Sequence, residues 1–263
     1  MVKGKQKLVW KIENRKWFNL PPISNFHTVF QFPLTIFHFF LDLVFPRFCV
    51  GCGKEGDWIC DLCQHKILQV KTQVCPDCGR ISKFGRYCHR HQKRWGLSGV
   101  IVAAYYEEGP IKEAIHNLKY NDILELKILL GEILTIALKE NLQLGQSILI
   151  TAVPMHFLRR ARRGYNQAEI LADYIAQRLK FPKNFQILKK SKFTKTQVTV
   201  SGRKRRANLK NSFVFTGLKD TIKNKTIVIV DDVTTTGTTL NECAKVLREA
   251  GARRVWGLVI AKG

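Results

Sequence analysis

The stretch that most constrains this chain is KTIVIVDDVTTTGTTL, Lys225 to Leu240. Four consecutive β-branched residues, Ile227 to Val230, leave no polar position for a solvent face. A strand of this kind is buried on both sides, as in a parallel sheet covered by helices. Two aspartates follow, then a loop of small hydroxyl residues around one glycine. The rhythm around this segment agrees. SILITAVP reads as a strand, NQAEILADYIAQRLK as an amphipathic helix, TLNECAKVLREAG as a helix stopped by Gly251, and RVWGLVIAK as a last buried strand. Alternation of this type predicts an α/β fold, a parallel sheet with helices on both faces. Upstream, SGVIVAAYYEEG predicts a further strand, and Ile111–Asn141 predicts a helical stretch broken near Tyr120–Asp122.

The strand is expected to end at Val230, so that Asp231 and Asp232 stand at the carboxyl edge, where parallel sheets bind ligands. Thr234, Thr235, Thr236, Gly237, Thr238 and Thr239 then lead into a helix. Their hydroxyls, the free backbone N–H groups and the helix dipole suit a phosphate. Gly237 lets the backbone turn close to that anion. Carboxylates lining the same pocket would repel phosphate. The combination makes sense for a ligand with a phosphate at one end and hydroxyls at the other, such as ribose 5-phosphate. No Gly-Lys-Ser/Thr follows, which excludes a Walker A loop.

The remaining chain divides by composition. Lys plus Arg number 44 against 20 acids, a net charge of +24, which favours polyanionic partners. Residues 1–33 form a basic N-terminal arm, and residues 34–47 an apolar helix. The run Phe26–Pro46 carries Gln31, Pro33, His38 and Asp42, which argue against a membrane span. Thr35, His38 and Asp42 draw one polar stripe, so the helix is read as mostly buried, with peripheral membrane-surface contact as the alternative. Residues 48–95 hold the cysteine pairs, and residues 96–263 the α/β domain. Cys49, Cys52, Cys60 and Cys63 have the spacing of a structural tetrahedral zinc site. Cys75, Cys78, Cys88 and His91 repeat the pattern, with His91 the weaker member. Sequential ribbons are the simpler topology, and a cross-braced pairing is the other. Such spacing suits a reducing, cytoplasmic setting. Cys243, inside a helix, reads as a buried apolar residue.

The VDDVTTTGTT segment resembles the PRPP-binding motif of type I phosphoribosyltransferases. A second stretch, AVPMHFLRRARRGYNQAE, places Arg159, Arg160, Arg162 and Arg163 in a loop after a strand, where that class holds pyrophosphate; guanidinium forks suit such oxygens. A third, Thr194–Phe213, is basic and sits where the class keeps a closing loop. The whole chain from residue 34 resembles the ComF family of competence-associated proteins. FLDLVFPRFCVGC, IHNLKY with Lys119 and Tyr120, RRGYNQAE with Asn166 and Gln167, and a pattern falling on Gln197, Arg205 and Asn208 carry the likeness.

The resemblance implies a double zinc ribbon ahead of a type I phosphoribosyltransferase-like domain. It also implies a cytoplasmic role in DNA uptake, with single-stranded DNA and a DNA-uptake helicase as partners. Two functions follow. The first is an enzyme that binds PRPP with Mg²⁺ and transfers phosphoribose, with Asp231 and Asp232 as its catalytic pair. The second is a non-catalytic single-stranded-DNA-binding protein, in which Trp95, Tyr165 and Phe193 stack on bases. A base-sized pocket beside the aspartates favours the first, a closed one the second.

Overall fold

The computed structural model describes residues 46–106, 109–142, 147–191 and 211–263. The arm, nearly all of the apolar helix, and Phe193, Gln197, Arg205 and Asn208 lie outside the described residues.

Four strands form one all-parallel sheet: β1 (Gly99–Tyr105), β2 (Ile148–Ala152), β5 (Thr226–Thr234) and β6 (Arg254–Lys262), in the order β1-β6-β5-β2. Leu149 pairs with Ile227, Val228 with Trp256, and Ile101 with Leu258. A short antiparallel pair, β3 (Leu188–Lys190) with β4 (Phe213–Phe215), lies outside that sheet. The strand pleat divides the core in two. Val228, Val230, Leu258 and Ile260 face α4 (Leu126–Asn141) and α6 (Gln167–Leu179), meeting Leu130, Leu134, Leu171 and Ile175. Ile227, Ile229, Val255 and Val259 face α7 (Thr238–Glu249) and the β3–β4 pair, meeting Leu240, Cys243, Leu247 and Phe213. Cys243 is fully buried there, as its place in the helix implied. Each side chain of this kind stabilises the fold by about 1.5–3 kcal/mol.

The helical stretch before β2 breaks as expected. Helix α3 (Pro110–Tyr120) begins with proline in its first turn and ends at Asn121; Asp122 then adopts a left-handed backbone, φ 55°. Helix α7 ends at Ala250, and Gly251 follows at φ 107°.

Strand β5 does not end at Val230. It continues through both aspartates to Thr234, because β6 keeps pairing with it: Asp231 with Val259, Val233 with Ala261 and Thr234 with Lys262. The pleat therefore sends the two carboxylates to opposite faces of the sheet.

The cysteine segment is small and irregular, with short helices α1 (Asp61–His65) and α2 (His89–Gln92). Its second half docks on β1. Arg86 bridges to Gly99, and a side chain at Gly85 would meet the Val100 carbonyl at 2.1 Å. Gln73 adds two bonds to Val102, accepting from its N–H at 3.0 Å and donating to its carbonyl at 2.9 Å. Among the described residues no helix is long and apolar enough to cross a membrane.

Candidate phosphoribosyl site and zinc centres

The turn after β5 is built by its own small side chains. Gly237, at φ 70°, precedes α7, and its N–H donates to Thr234 Oγ1 at 3.1 Å. The Thr236 and Thr238 hydroxyls share a bond of 2.8 Å. The first-turn amides of α7 have no carbonyl a turn earlier to bond, and the helix dipole adds positive character there. Thr234–Thr239 line a small cavity, about 20 Å³, with Asp231 and Val233 on its wall. That is room for one water or one anion oxygen.

Asp231 faces this cavity. Burial, followed by the charge of Asp232, raises its carboxyl to about 8. Its protonated form is thereby favoured. Asp232, only 5% exposed, faces the other side. Lys119 Nζ lies 3.0 Å from its Oδ1, and Gln167 Nε2 donates to its Oδ2 at 2.8 Å. Two adjacent acids are thus tolerable for separate reasons: the surroundings of Asp231 favour its protonated form, and Asp232 is balanced by an ammonium.

Two elements deliver those partners. Lys119 comes from the last turn of α3, fixed by the Tyr165 hydroxyl, which donates to the Leu118 carbonyl. Gln167 opens α6, whose start is capped by Asn166: Oδ1 accepts from Ala168 N at 3.1 Å, and Nδ2 donates to the Val153 carbonyl at 3.0 Å. Asn166 also donates to Glu169 at 3.2 Å. Tyr165 is consequently an anchor between α3 and α6 rather than a platform for bases.

The four arginines are not in a loop. They lie on α5 (Phe157–Arg163), which the buried His156 caps by accepting from Leu158 N at 3.3 Å. Arg160 pairs with Glu169 at 2.9 Å. Arg163 donates to Gln167 Oε1 at 2.7 Å and lies over the Tyr120 ring at 5.4 Å. A chain of bonds therefore runs from Arg163 through Gln167 to Asp232, with Lys119 meeting it from the far side. Arg162 is exposed, and Arg159 is half-buried. Glu169, which holds both Arg160 and Asn166, was passed over as a site residue. Its signal was in the sequence: Asn166 and Glu169 stand at the spacing of a capping box.

The zinc donors assemble in sequential pairs, not cross-braced ones. Cys49, Cys52, Cys60 and Cys63 form one group, and Cys75, Cys78, Cys88 and His91 the other; within each, all donor atoms lie within 4.8 Å of one another. The sulfurs of Cys52 and Cys60 are 3.6 Å apart, and those of Cys78 and Cys88 3.9 Å. Four ligands at about 2.3 Å around a tetrahedral zinc sit about 3.8 Å from one another, so both groups fit the ion. His91 belongs: its Nδ1 is 3.2 Å from Cys88 Sγ, and its Nε2 faces Asp77 Oδ2 at 3.7 Å, a carboxylate able to orient the ring. Burial pushes the Cys49 and Cys75 thiols up, but backbone N–H donors outweigh it and bring each down to about 6. For Cys75 those donors belong to Cys88, Cys78 and Asp77.

The second ribbon also touches the turn after β5. Tyr87 and Trp95 stack at 5.1 Å, and both come within 3.7 Å of where a Gly237 side chain would begin. Gly96 N donates to Asn241 Oδ1 in the first turns of α7 at 2.8 Å, and Lys262 donates to the Pro76 carbonyl at 2.8 Å. Neither Asn241 nor Lys262 carried a sequence signal, since both contacts join distant parts of the chain.

This geometry defines a phosphoribosyltransferase-like domain joined to a double zinc ribbon, and comparison with known families agrees. The phosphoribosyl transferase domain matches residues 119–262, and the double zinc ribbon domain residues 40–92. Among individual relatives, Competence protein F of Haemophilus influenzae is 33% identical over 230 residues, covering 81% of this chain and 96% of that one. DNA utilization protein YhgH of Escherichia coli K12 is 33% identical, covering 82% and 98%. Competence protein ComFC of Streptococcus pneumoniae is 26% identical, covering 77% and 86%. The chain belongs to the competence protein F/YhgH family.

Proposed function

We propose that this protein binds PRPP, or a ligand carrying ribose 5-phosphate, at the carboxyl edge of β5, and that it acts in DNA uptake. The observation that carries the reading is the small cradle of Thr234–Thr239 at the start of α7, with Asp231, whose carboxyl is raised to about 8, on its wall. One phosphate oxygen sits in the cradle and the rest of the group at its mouth, bonded by threonine hydroxyls and amides. Protonated Asp231 donates toward the ligand instead of repelling it. Asp232 takes the ribose hydroxyls by exchanging part of its contact with Lys119 and Gln167. Arg159, Arg160, Arg162 and Arg163, on α5, take the pyrophosphate charge, an electrostatic role. Mg²⁺ bound to the PRPP pyrophosphate would supply further positive charge beside these arginines. In transfer the C1–O bond breaks, pyrophosphate leaves with the bonding pair, and an acceptor nucleophile bonds to C1; the negative field of Asp232 favours the cationic sugar between these events. The role in DNA uptake rests on the names of the relatives.

Calorimetry with Mg-PRPP tests this reading. The wild-type protein is expected to bind, and Asp231→Asn/Asp232→Asn to bind at least tenfold more weakly. No heat for the wild type, or equal heat for the variant, overturns it. A second reading, binding of single-stranded DNA through the basic surface, is favoured by the net charge of +24 and by the smallness of the cavity at Asp231. It predicts binding that weakens steeply with salt.

A further inference from the structure

Away from β5 the molecule has a second and larger concavity. It is a groove of about 540 Å³ between the second zinc ribbon and the flank of α7, at the amino-terminal ends of β1 and β6. That volume lies in the range of small-molecule and nucleotide sites. Its rim carries five exposed cations, Arg86, Lys93, Lys245, Arg248 and Arg254, against one acid, Glu249. Lys245 is shared with Glu242 at 2.6 Å, and Arg248 donates to the Ala252 carbonyl at 3.1 Å, so these two are partly committed. Arg86 lies over the Trp256 ring at 5.8 Å.

The floor is aromatic: Tyr87, Trp95 and Trp256. Tyr87 and Trp256 are 5% and 1% exposed, while Trp95 is only partly covered. The Tyr87 hydroxyl and both indole N–H groups are buried without a hydrogen-bond partner among the described residues. Only one other such side-chain atom occurs there, on Thr151. Buried unpaired donors destabilise a fold, and three of the four belong to residues that line this groove, although the Tyr87 hydroxyl itself lies beside Gly237.

We infer that this groove binds a nucleotide unit. The base lies against Trp95, and the phosphate meets Lys93, Arg254 and Arg86. Arginine and lysine hold phosphate oxygens, and an indole face stacks on any base. An apolar small molecule would not require five cations at the rim. A bare anion would not require an aromatic floor. The nucleotide comes either from a single strand or from the free pool. The strand source rests on the second reading above; the groove itself does not depend on PRPP binding.

The test measures anisotropy of a labelled oligothymidylate with the zinc-loaded full chain, without PRPP, and uses dTMP as competitor. Lys93→Glu/Arg254→Glu changes exposed side chains only and is expected to weaken binding at least tenfold and to lower the salt slope by about one to two. Trp95→Ala is expected to weaken it roughly five- to hundredfold. Because Trp95 also packs by Gly237, the charge variant is decisive if that protein misfolds. Lys54→Glu/Lys66→Glu, on the first ribbon, serves as the control and is expected to bind nearly as wild type. Displacement of the strand by dTMP at comparable concentration assigns the groove to free nucleotides; displacement only at great excess assigns it to a strand. If neither probe binds the wild type, both the groove inference and the strand reading fall. If the wild type binds but the groove variant matches the control, the groove inference alone falls.

Discussion

The contact between Lys119 and Asp232 joins the two halves of the site, and a double-mutant cycle measures what it does. Nζ and Oδ1 are 3.0 Å apart, a gross attraction of about 5.5 kcal/mol at an effective dielectric constant of about 20. Much of that is offset by desolvation. Breaking a buried pair by removing one partner costs about 3–5 kcal/mol. Here the lower end applies, because Asp232 keeps the Gln167 bond and the ammonium is one-fifth exposed. Lys119→Met is therefore expected to lower unfolding free energy by about 2–3 kcal/mol, read from urea denaturation at fixed zinc. In an Asp232→Asn background the same substitution is expected to cost under about 1 kcal/mol, since no buried charge is orphaned. The coupling is the difference between these two losses. If the losses are equal in both backgrounds, Lys119 acts only through the packing of its stem, and the electrostatic account of the site is wrong.

Two further outcomes follow from the same geometry. Asp231 has its carboxyl raised to about 8, above its unfolded value, so between the two values the folded state holds a proton that the unfolded state has released. Stability is expected to fall as pH rises from about 4 to 8, by at most about 1.4 kcal/mol per unit, and Asp231→Asn to flatten that slope in denaturation at several pH values; an unchanged slope refutes the assignment. For the zinc centres, metal analysis is expected to give two zinc ions per chain, one fewer or a labile second ion for His91→Ala, and two again for His91→Cys, because a thiolate replaces the imidazole donor; full retention by His91→Ala removes His91 from the ligand set.

The sequence by itself determined most of what is local. A run of four β-branched residues has one comfortable home, a strand covered on both faces, so the parallel sheet followed from Ile227–Val230 and Val255–Ala261. Cysteine spacing determined the close ligand pairs, because two ligands with only two residues between them serve one ion, and His91 followed from the repeat; which pairs share an ion was decided by the tertiary structure. The glycine at the head of α7 and the hydroxyls around it were likewise readable, since that turn is made by one stretch of chain. Tertiary structure decided what depends on neighbours. Strand β5 ran on past Val230 because β6 was there to pair with it, which no property of Asp231 or Asp232 announces. That extension split the two acids between opposite faces, so that one is neutralised by burial and the other by Lys119 from more than a hundred positions away. The arginines became a helix because His156 capped it and Gln167 and Glu169 received two of its side chains. The contact of Tyr87 and Trp95 with Gly237 arose only when the ribbon docked on β1. Periodicity and spacing report what a segment does to its own backbone. A carboxylate's charge state and an aromatic ring's partner depend on what the rest of the chain brings within a few ångströms.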